Sequence, residues 1–210
     1  MRPMFRVFLF LIISAALISC APREPAVHPE ESAVVAVAGF SQPKHRREML
    51  TRHVTVDQEV IDDEILRMLD SDLAVLAGES RQEIIGPAAV KKCRELQDLD
   101  IDQEGGTFHY WVQTGKCVQA DYILVPFVFK WKERKGGEWG VEEPAAVTLE
   151  LNLINVRTFE HYRYFFDERQ KSLFEDLSRA GRFFKRGGRW ISARSLANEG
   201  LEKGIRELGL

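Results

Sequence analysis

Apolar residues follow two rhythms along this chain, and the change from one to the other marks its elements. Residues 33–40 (AVVAVAGF) form a short, β-branched apolar run ending near Gly39, the pattern of a buried strand. Residues 41–53 are polar and basic, as in a loop. Val56, Val60, Ile61, Ile65, Met68 and Leu69 then recur at helical spacing. Thr55-Val56-Asp57-Gln58 reads as a capping box, with Gln three residues after the cap, and Asp57 and Glu59 suit the positive end of a helix dipole. The expected helix runs from Thr55 to Ala77, before Gly78.

Residues 83–85 suggest a short strand, and Gly86-Pro87 opens a second helix over 88–96, because proline is well placed in a first helical turn. Residues 99–117, with Gly105, Gly106 and Gly115, read as irregular. Residues 121–131 (DYILVPFVFKW) predict a long strand with aromatics at odd positions, and Pro126 inside it predicts a bulge or an edge. Lys135-Gly136-Gly137 opens a turn-rich tip. Val147, Leu149, Leu151 and Leu153 alternate with Thr148, Glu150 and Asn152, so the next strand should bury one face and wet the other. A turn at 157–160 and a strand at 161–167 complete a meander, and 172–188 is a helical or loop stretch. Residues 190–208 close the chain as an amphipathic helix carrying Ile191, Leu196, Ala197, Leu201, Ile205 and Leu208. Gly200 and Gly204 share one face of it, each at ~1 kcal/mol against alanine. Close packing is one explanation of that pair and a frayed end is the other. The order predicts an α/β (α+β) domain: a single mixed sheet with a carboxyl-side antiparallel meander and helices packed against it. No internal repeat is visible.

The amino terminus follows different rules. Arg2 and Arg6 precede an apolar run over residues 7–18. That run is shorter than the ~20 residues of a membrane-spanning helix and fits a secretory signal core of ~7–15 residues. Leu17-Ile18-Ser19-Cys20 then resembles the bacterial lipobox, where cleavage precedes a cysteine that carries diacylglycerol. The alternative is an ordinary signal peptide with a chance cysteine. In lipoproteins an Asp after the cysteine favours the inner membrane; Ala21 here points by resemblance to the outer membrane. Residues 21–33, rich in Pro and Glu, read as a tether able to reach ~40 Å at ~3.1 Å per residue. The expected division is a signal peptide over 1–19, a lipidated Cys20 and tether over 20–33, and one domain over 34–210.

Lys and Arg number 29 against 32 acidic residues, and loss of Arg2 and Arg6 makes the mature chain more acidic. A nucleic-acid partner, which favours a strongly basic domain, is therefore not expected. With Cys20 assigned to lipid, Cys93 and Cys117 remain, in a compartment that permits disulfides. They are candidates for a bridge; two separate buried thiols are the alternative.

The layout resembles a group of envelope domains: the lipoprotein α/β domain of the curli secretion channel protein, the outer-membrane lipoprotein activators of penicillin-binding proteins, and the amino-terminal domain of the Tol-system β-propeller protein. The residues that carry the resemblance are AVVAVAGF, DQEVIDDEIL, EIIGPAAVKKCREL, ADYILVPFVF and TLELNLINVRTFE, followed by the final helix. The chain departs from the channel protein in lacking a pair of long alternating membrane hairpins. The resemblance implies a non-enzymatic envelope role in assembly, secretion or partner activation.

Motifs for chemistry are sparse. Asp98, Asp100 and Asp102 mimic a calcium loop, but Gln103 stands where the turn needs glycine and His109 where a bidentate Glu belongs. His28, His45, His53, His109 and His161 have no metal-ligand spacing, and no nucleophile elbow or phosphate loop occurs. No cofactor is expected beyond the lipid. Two candidate partner surfaces stand out. One is Arg179 to Trp190, where Arg182, Lys185, Arg186, Phe183, Phe184 and Trp190 mix positive charge with aromatics. Aromatics turned into the core beside solvated basic residues are the plain alternative. The other is Trp139, near the tip of the 131–145 connection, an interface anchor or a ring folded back on the sheet. The expectation is a membrane-tethered interaction protein without an active site, bound to an envelope protein or to its own copies. The alternatives are an enzyme acting on peptidoglycan or another glycan, and a ligand-binding lipoprotein of a transport system.

Overall fold

The computed structural model describes residues 29–51, 59–97, 106–137, 141–170 and 189–210. Its frame is a five-stranded mixed sheet. β1 (Val34–Val37) lies between β2 (Glu83–Ile85) and β3 (Tyr122–Lys132) and is parallel to both. β6 (Ala146–Asn155) joins β3 antiparallel, and β7 (His161–Arg169) joins β6 antiparallel, giving the order β2-β1-β3-β6-β7. β4 (Lys135–Gly136) and β5 (Val141–Glu143) pair in a separate two-stranded ribbon.

Helices cover both faces. On one, α1 (Asp63–Gly78) and α4 (Ala193–Glu207) bury Leu69, Leu73, Leu196 and Leu201 against Val147, Leu149, Leu151 and Leu153. On the other, α2 (Pro87–Glu95) and α3 (Gly106–Cys117) bury Val90, Trp111 and Val112 against Ile123, Val125 and Phe127. The mixed sheet with a carboxyl-side meander and packed helices is the fold expected from the pattern.

Several elements differ from expectation, each for a physical reason. α1 begins at Asp63, capped by an extended Asp62, and residues 59–62 are not helical. Thr55 and Gln58 lie outside the described residues. The Ile61 N–H donates to Gln42 Oε1 at 2.9 Å, which holds the approach extended, while Val60 is left 79 % exposed. A tertiary contact has overridden the helical period. Residues 106–117, expected to be irregular, form α3. Thr, His, Tyr, Trp and Gly are modest helix formers, but Phe108, Trp111, Val112 and Gly115 lie on one side, and packing supplies the stability.

Pro126 sits in a central strand, and the bulge lies at Phe129, between Val128 and Lys130. The carbonyls of Leu124 and Pro126 accept from Ala38 and Ser41 N–H, so the proline nitrogen faces the place where β1 has ended. Its missing donor therefore breaks no regular ladder. The tether expected to end at Ala33 is already packed at its far end. Pro29 is buried and its carbonyl accepts from Gln82 Nε2.

The glycine pair of the last helix reflects close packing. A Cβ on Gly204 would stand 2.6 Å from both Leu151 Cδ1 and Tyr164 Cδ1, and one on Gly200 2.8 Å from the Phe166 ring. Ser192, which accepts from Ser195 N–H at 3.1 Å, caps this helix. At the other end of the core, Asp70 accepts from Phe40 N–H at 2.6 Å beside Gly39, joining α1 to the exit of β1. Burial pushes the Asp70 carboxyl above its usual range, and the Phe40 hydrogen bond opposes this.

Candidate functional site

The face of β6 expected to be wet is buried. Thr148, Glu150 and Asn152 point to the α2–α3 side of the sheet and are shielded there. Across the ladder stand Asp167, Phe165 and Arg163 of β7, the outermost strand on that side among the described residues. A buried carboxylate requires partners, and Glu150, 0 % exposed, has three. Arg163 Nε donates to Oε2 at 2.6 Å, Thr51 Oγ1 lies 3.1 Å from both oxygens, and Asn152 Nδ2 donates to Oε1 at 3.0 Å. The Arg163 guanidinium also stacks 4.8 Å above the Phe165 ring centre.

The network continues through Asn152, whose Nδ2 also reaches the Val125 carbonyl at 3.3 Å. With Nδ2 donating, Asn152 Oδ1 is the acceptor for His161 Nε2 at 2.8 Å, so the ring carries its proton on Nε2. Burial depresses the His161 pKa; the Glu150 charge opposes this and the Arg163 charge adds to it. Both Glu150 oxygens are thus occupied. The cluster locks residue 51, β6 and β7 together, and Glu150 is not placed to take a proton from a substrate.

A second feature lies at the carboxyl end of β1. There a cavity of about 340 Å³ opens between the 41–48 segment, α2, α3 and β3. Pro43, Tyr110, Trp111 and Phe127 supply apolar wall, and Glu48 and Arg94 supply opposite charges. Arg94 Nε donates to Tyr110 Oη at 2.9 Å, and its guanidinium lies 4.9 Å from the Trp111 ring centre and 5.7 Å from that of Tyr110. Cys93, its neighbour in α2, is joined by a disulfide to Cys117 at the end of α3, with Cα atoms 5.9 Å apart. A third hollow, of about 390 Å³, lies at the opposite end of the strands, beside Asp121 and Arg157. The Asp121 carboxylate there is spent on Val34 N–H and the Arg157 guanidinium.

Most residues singled out from sequence lie outside the described residues: Cys20, Trp139, Arg182, Phe183, Phe184, Lys185 and Arg186, and also Asp98, Asp100 and Asp102. Trp190 is described; it is half-buried just before α4, and its carbonyl accepts from Arg134. Among the described residues no group of three His, Cys, Asp or Glu side chains could hold a metal ion. No described helix is long and apolar enough to cross a membrane. Sequence reasoning missed the Glu150–Arg163–His161 cluster and the Arg94–Tyr110–Trp111 stack. The first carried one signal, a charge alternating with Leu149 and Leu151 in a strand that helices could cover on both sides. The second carried none, because its partners belong to different helices.

No protein-family model matches this chain, and no curated protein matches its sequence. Its layout is similar to that of several solved structures. The LpoB carboxyl-terminal domain from Salmonella enterica is 13 % identical, with 74 % of this chain and 92 % of that one covered and a TM-score of 0.39. The PelC dodecamer from Paraburkholderia phytofirmans is 14 % identical, with coverage of 90 % and 94 % and a TM-score of 0.40. A lipoprotein from Neisseria meningitidis is 12 % identical, with coverage of 79 % and 99 % and a TM-score of 0.41. These are likenesses of layout, and none carries a function to this chain.

Proposed function

We propose that this chain is a lipid-anchored protein of the bacterial cell envelope that binds a protein partner, or its own copies, and does not turn over a substrate. The observation that carries the reading is the junction Leu17-Ile18-Ser19-Cys20, placed after a basic start and a twelve-residue apolar run. The division into signal peptide, lipidated cysteine with tether and one folded domain belongs to the same proposal, as does the outer-membrane address drawn from Ala21. The Cys93–Cys117 bridge supports export, because such bonds persist in oxidising compartments.

The test has two arms in the native host. Metabolic labelling with a radioactive fatty acid should mark the intact protein, and Cys20→Ala should lose both the label and sedimentation with membranes. Photoactivatable residues at Trp139 and Phe184 of the lipidated protein should crosslink to one envelope protein or to an ordered self-oligomer. An unlabelled wild type overturns the anchor. Crosslinks spread over lipid and bulk protein alone overturn the partner-binding reading.

A further inference from the structure

After β1 the chain turns away toward α1 and β2, whereas β3 continues into the meander toward β6. Where the connections of two neighbouring parallel strands diverge, a crevice opens outside their carboxyl ends, and open α/β sheets bind ligands there. In this fold the 340 Å³ cavity of Pro43, Glu48, Arg94, Tyr110, Trp111 and Phe127 lies beyond the carboxyl end of β1, against the middle of β3, which runs on to Lys132. Its size falls at the small end of ligand pockets, ~300–1,000 Å³, enough for a single ring-sized unit.

The wall chemistry narrows the ligand. Arg94 is held by stacking on Trp111, by its hydrogen bond to Tyr110 and by the adjacent disulfide. With Nε committed to Tyr110, what it offers the cavity is its Nη pair, the fork that grips both oxygens of a carboxylate. Because the side chain is already ordered, little entropy is lost on binding. Glu48, whose Oε2 accepts from Lys44 N–H, is an acceptor for hydroxyls. A purely apolar ligand would strip water from both charges without replacing it. A polyphosphate brings several negative charges against Glu48 with only Arg94 to balance them, whereas a single carboxylate is matched by Arg94 alone. A ring with one carboxylate, several hydroxyls and a C–H face to lay on an aromatic wall satisfies each group.

We propose that this cavity binds one carboxylated sugar unit, of the uronic acid type. Arg94, seated on the buried Trp111, holds the carboxylate, Glu48 accepts from ring hydroxyls, and the half-buried Tyr110 backs the ring. The site does not depend on the lipid anchor, and it adds a glycan contact to the partner-binding reading.

The experiment is calorimetric and NMR titration of the oxidised mature domain with a galacturonic acid trimer, its methyl ester, and a short acidic peptide. The acid should bind and shift resonances of Tyr110 and Trp111. The ester and Arg94→Gln should each weaken binding by roughly tenfold or more, as expected for loss of a charge-assisted contact. Arg94→Lys should recover little, since it restores charge without the fork. No binding of the acid, equal binding of acid and ester, or equal displacement by the peptide overturns the proposal. The ester comparison uses the native protein, so it decides the matter even if an Arg94 variant fails to fold.

Discussion

At the scale of single residues, the sign of a substitution depends on what a few missing atoms leave room for. Gly78→Ala and Gly204→Ala add the same methyl group and gain the same ~1 kcal/mol of helix propensity. Nothing lies within 4 Å of the Gly78 position, so that variant should be stabilised or unchanged. At Gly204 the methyl meets Leu151 and Tyr164, and overpacking of ~1–3 kcal/mol should outweigh the gain. The urea midpoint should therefore fall for Gly204→Ala and hold or rise for Gly78→Ala, at constant slope. A similar asymmetry holds for Glu150 and Arg163. Arg163→Ala leaves a fully buried carboxylate short of its cation and should cost ~3 kcal/mol, the low end for a broken buried pair because Arg163 is partly exposed. Glu150→Gln leaves an arginine that still reaches water, and should cost less. His161 adds a pH dependence. Its folded pKa lies below the ordinary 6.5, so as pH falls through that value the unfolded chain takes up the proton first. Stability should be unaffected above about pH 7.5 and should fall on acidification toward pH 5. His161→Gln can keep a donor for Asn152 without titrating, and its melting temperature should change less over that range.

At the scale of elements, the readable segments were those whose own side chains decide their structure. The strand Tyr122–Lys132 was legible as a continuous β-branched and aromatic run, and Val147 to Leu153 as a period-two alternation, because both patterns are set locally. The start of α1 was not, because Gln42, nineteen residues earlier, holds Ile61 extended. α3 was hidden by weak propensity and by glycines; Gly115 is there for contact, since a Cβ would come 2.5 Å from Val156 Cγ2. The cap at Ser192 was readable in principle, as a serine three residues before another polar side chain at a helix start. The α2–α3 pair depends on its covalent link. Its sequence separation of 24 gives ~3 kcal/mol in the chain-entropy model, so the paired Cys93→Ala, Cys117→Ala variant should lose about that much in urea unfolding. A loss confined to a few tenths of that would mean that side-chain packing, with Val90, Trp111 and Val112 in the core and Arg94 stacked on Trp111, holds the two helices without the bridge.

At the scale of the whole molecule, the element order implied one mixed sheet, and that is the sheet found. The meander neighbours β3, β6 and β7 were legible, but the neighbours of β1 were not, because parallel β1 contacts two partners that are distant in sequence and share no local signal. The same holds for the sugar cavity, which exists only once two helices and the β1 exit meet. The bond between Cys93 and Cys117 has a last consequence, for traffic. Under the proposed export, a chain threaded unfolded out of a reducing cytosol would carry Cys93 and Cys117 as separate thiols and would lack ~3 kcal/mol of its final stability, a large part of the ~5–15 kcal/mol that proteins of this size hold. On that proposal oxidation after delivery restores it, and the bridge is a ratchet: absent while the precursor must stay loose, present once the domain must resist unfolding.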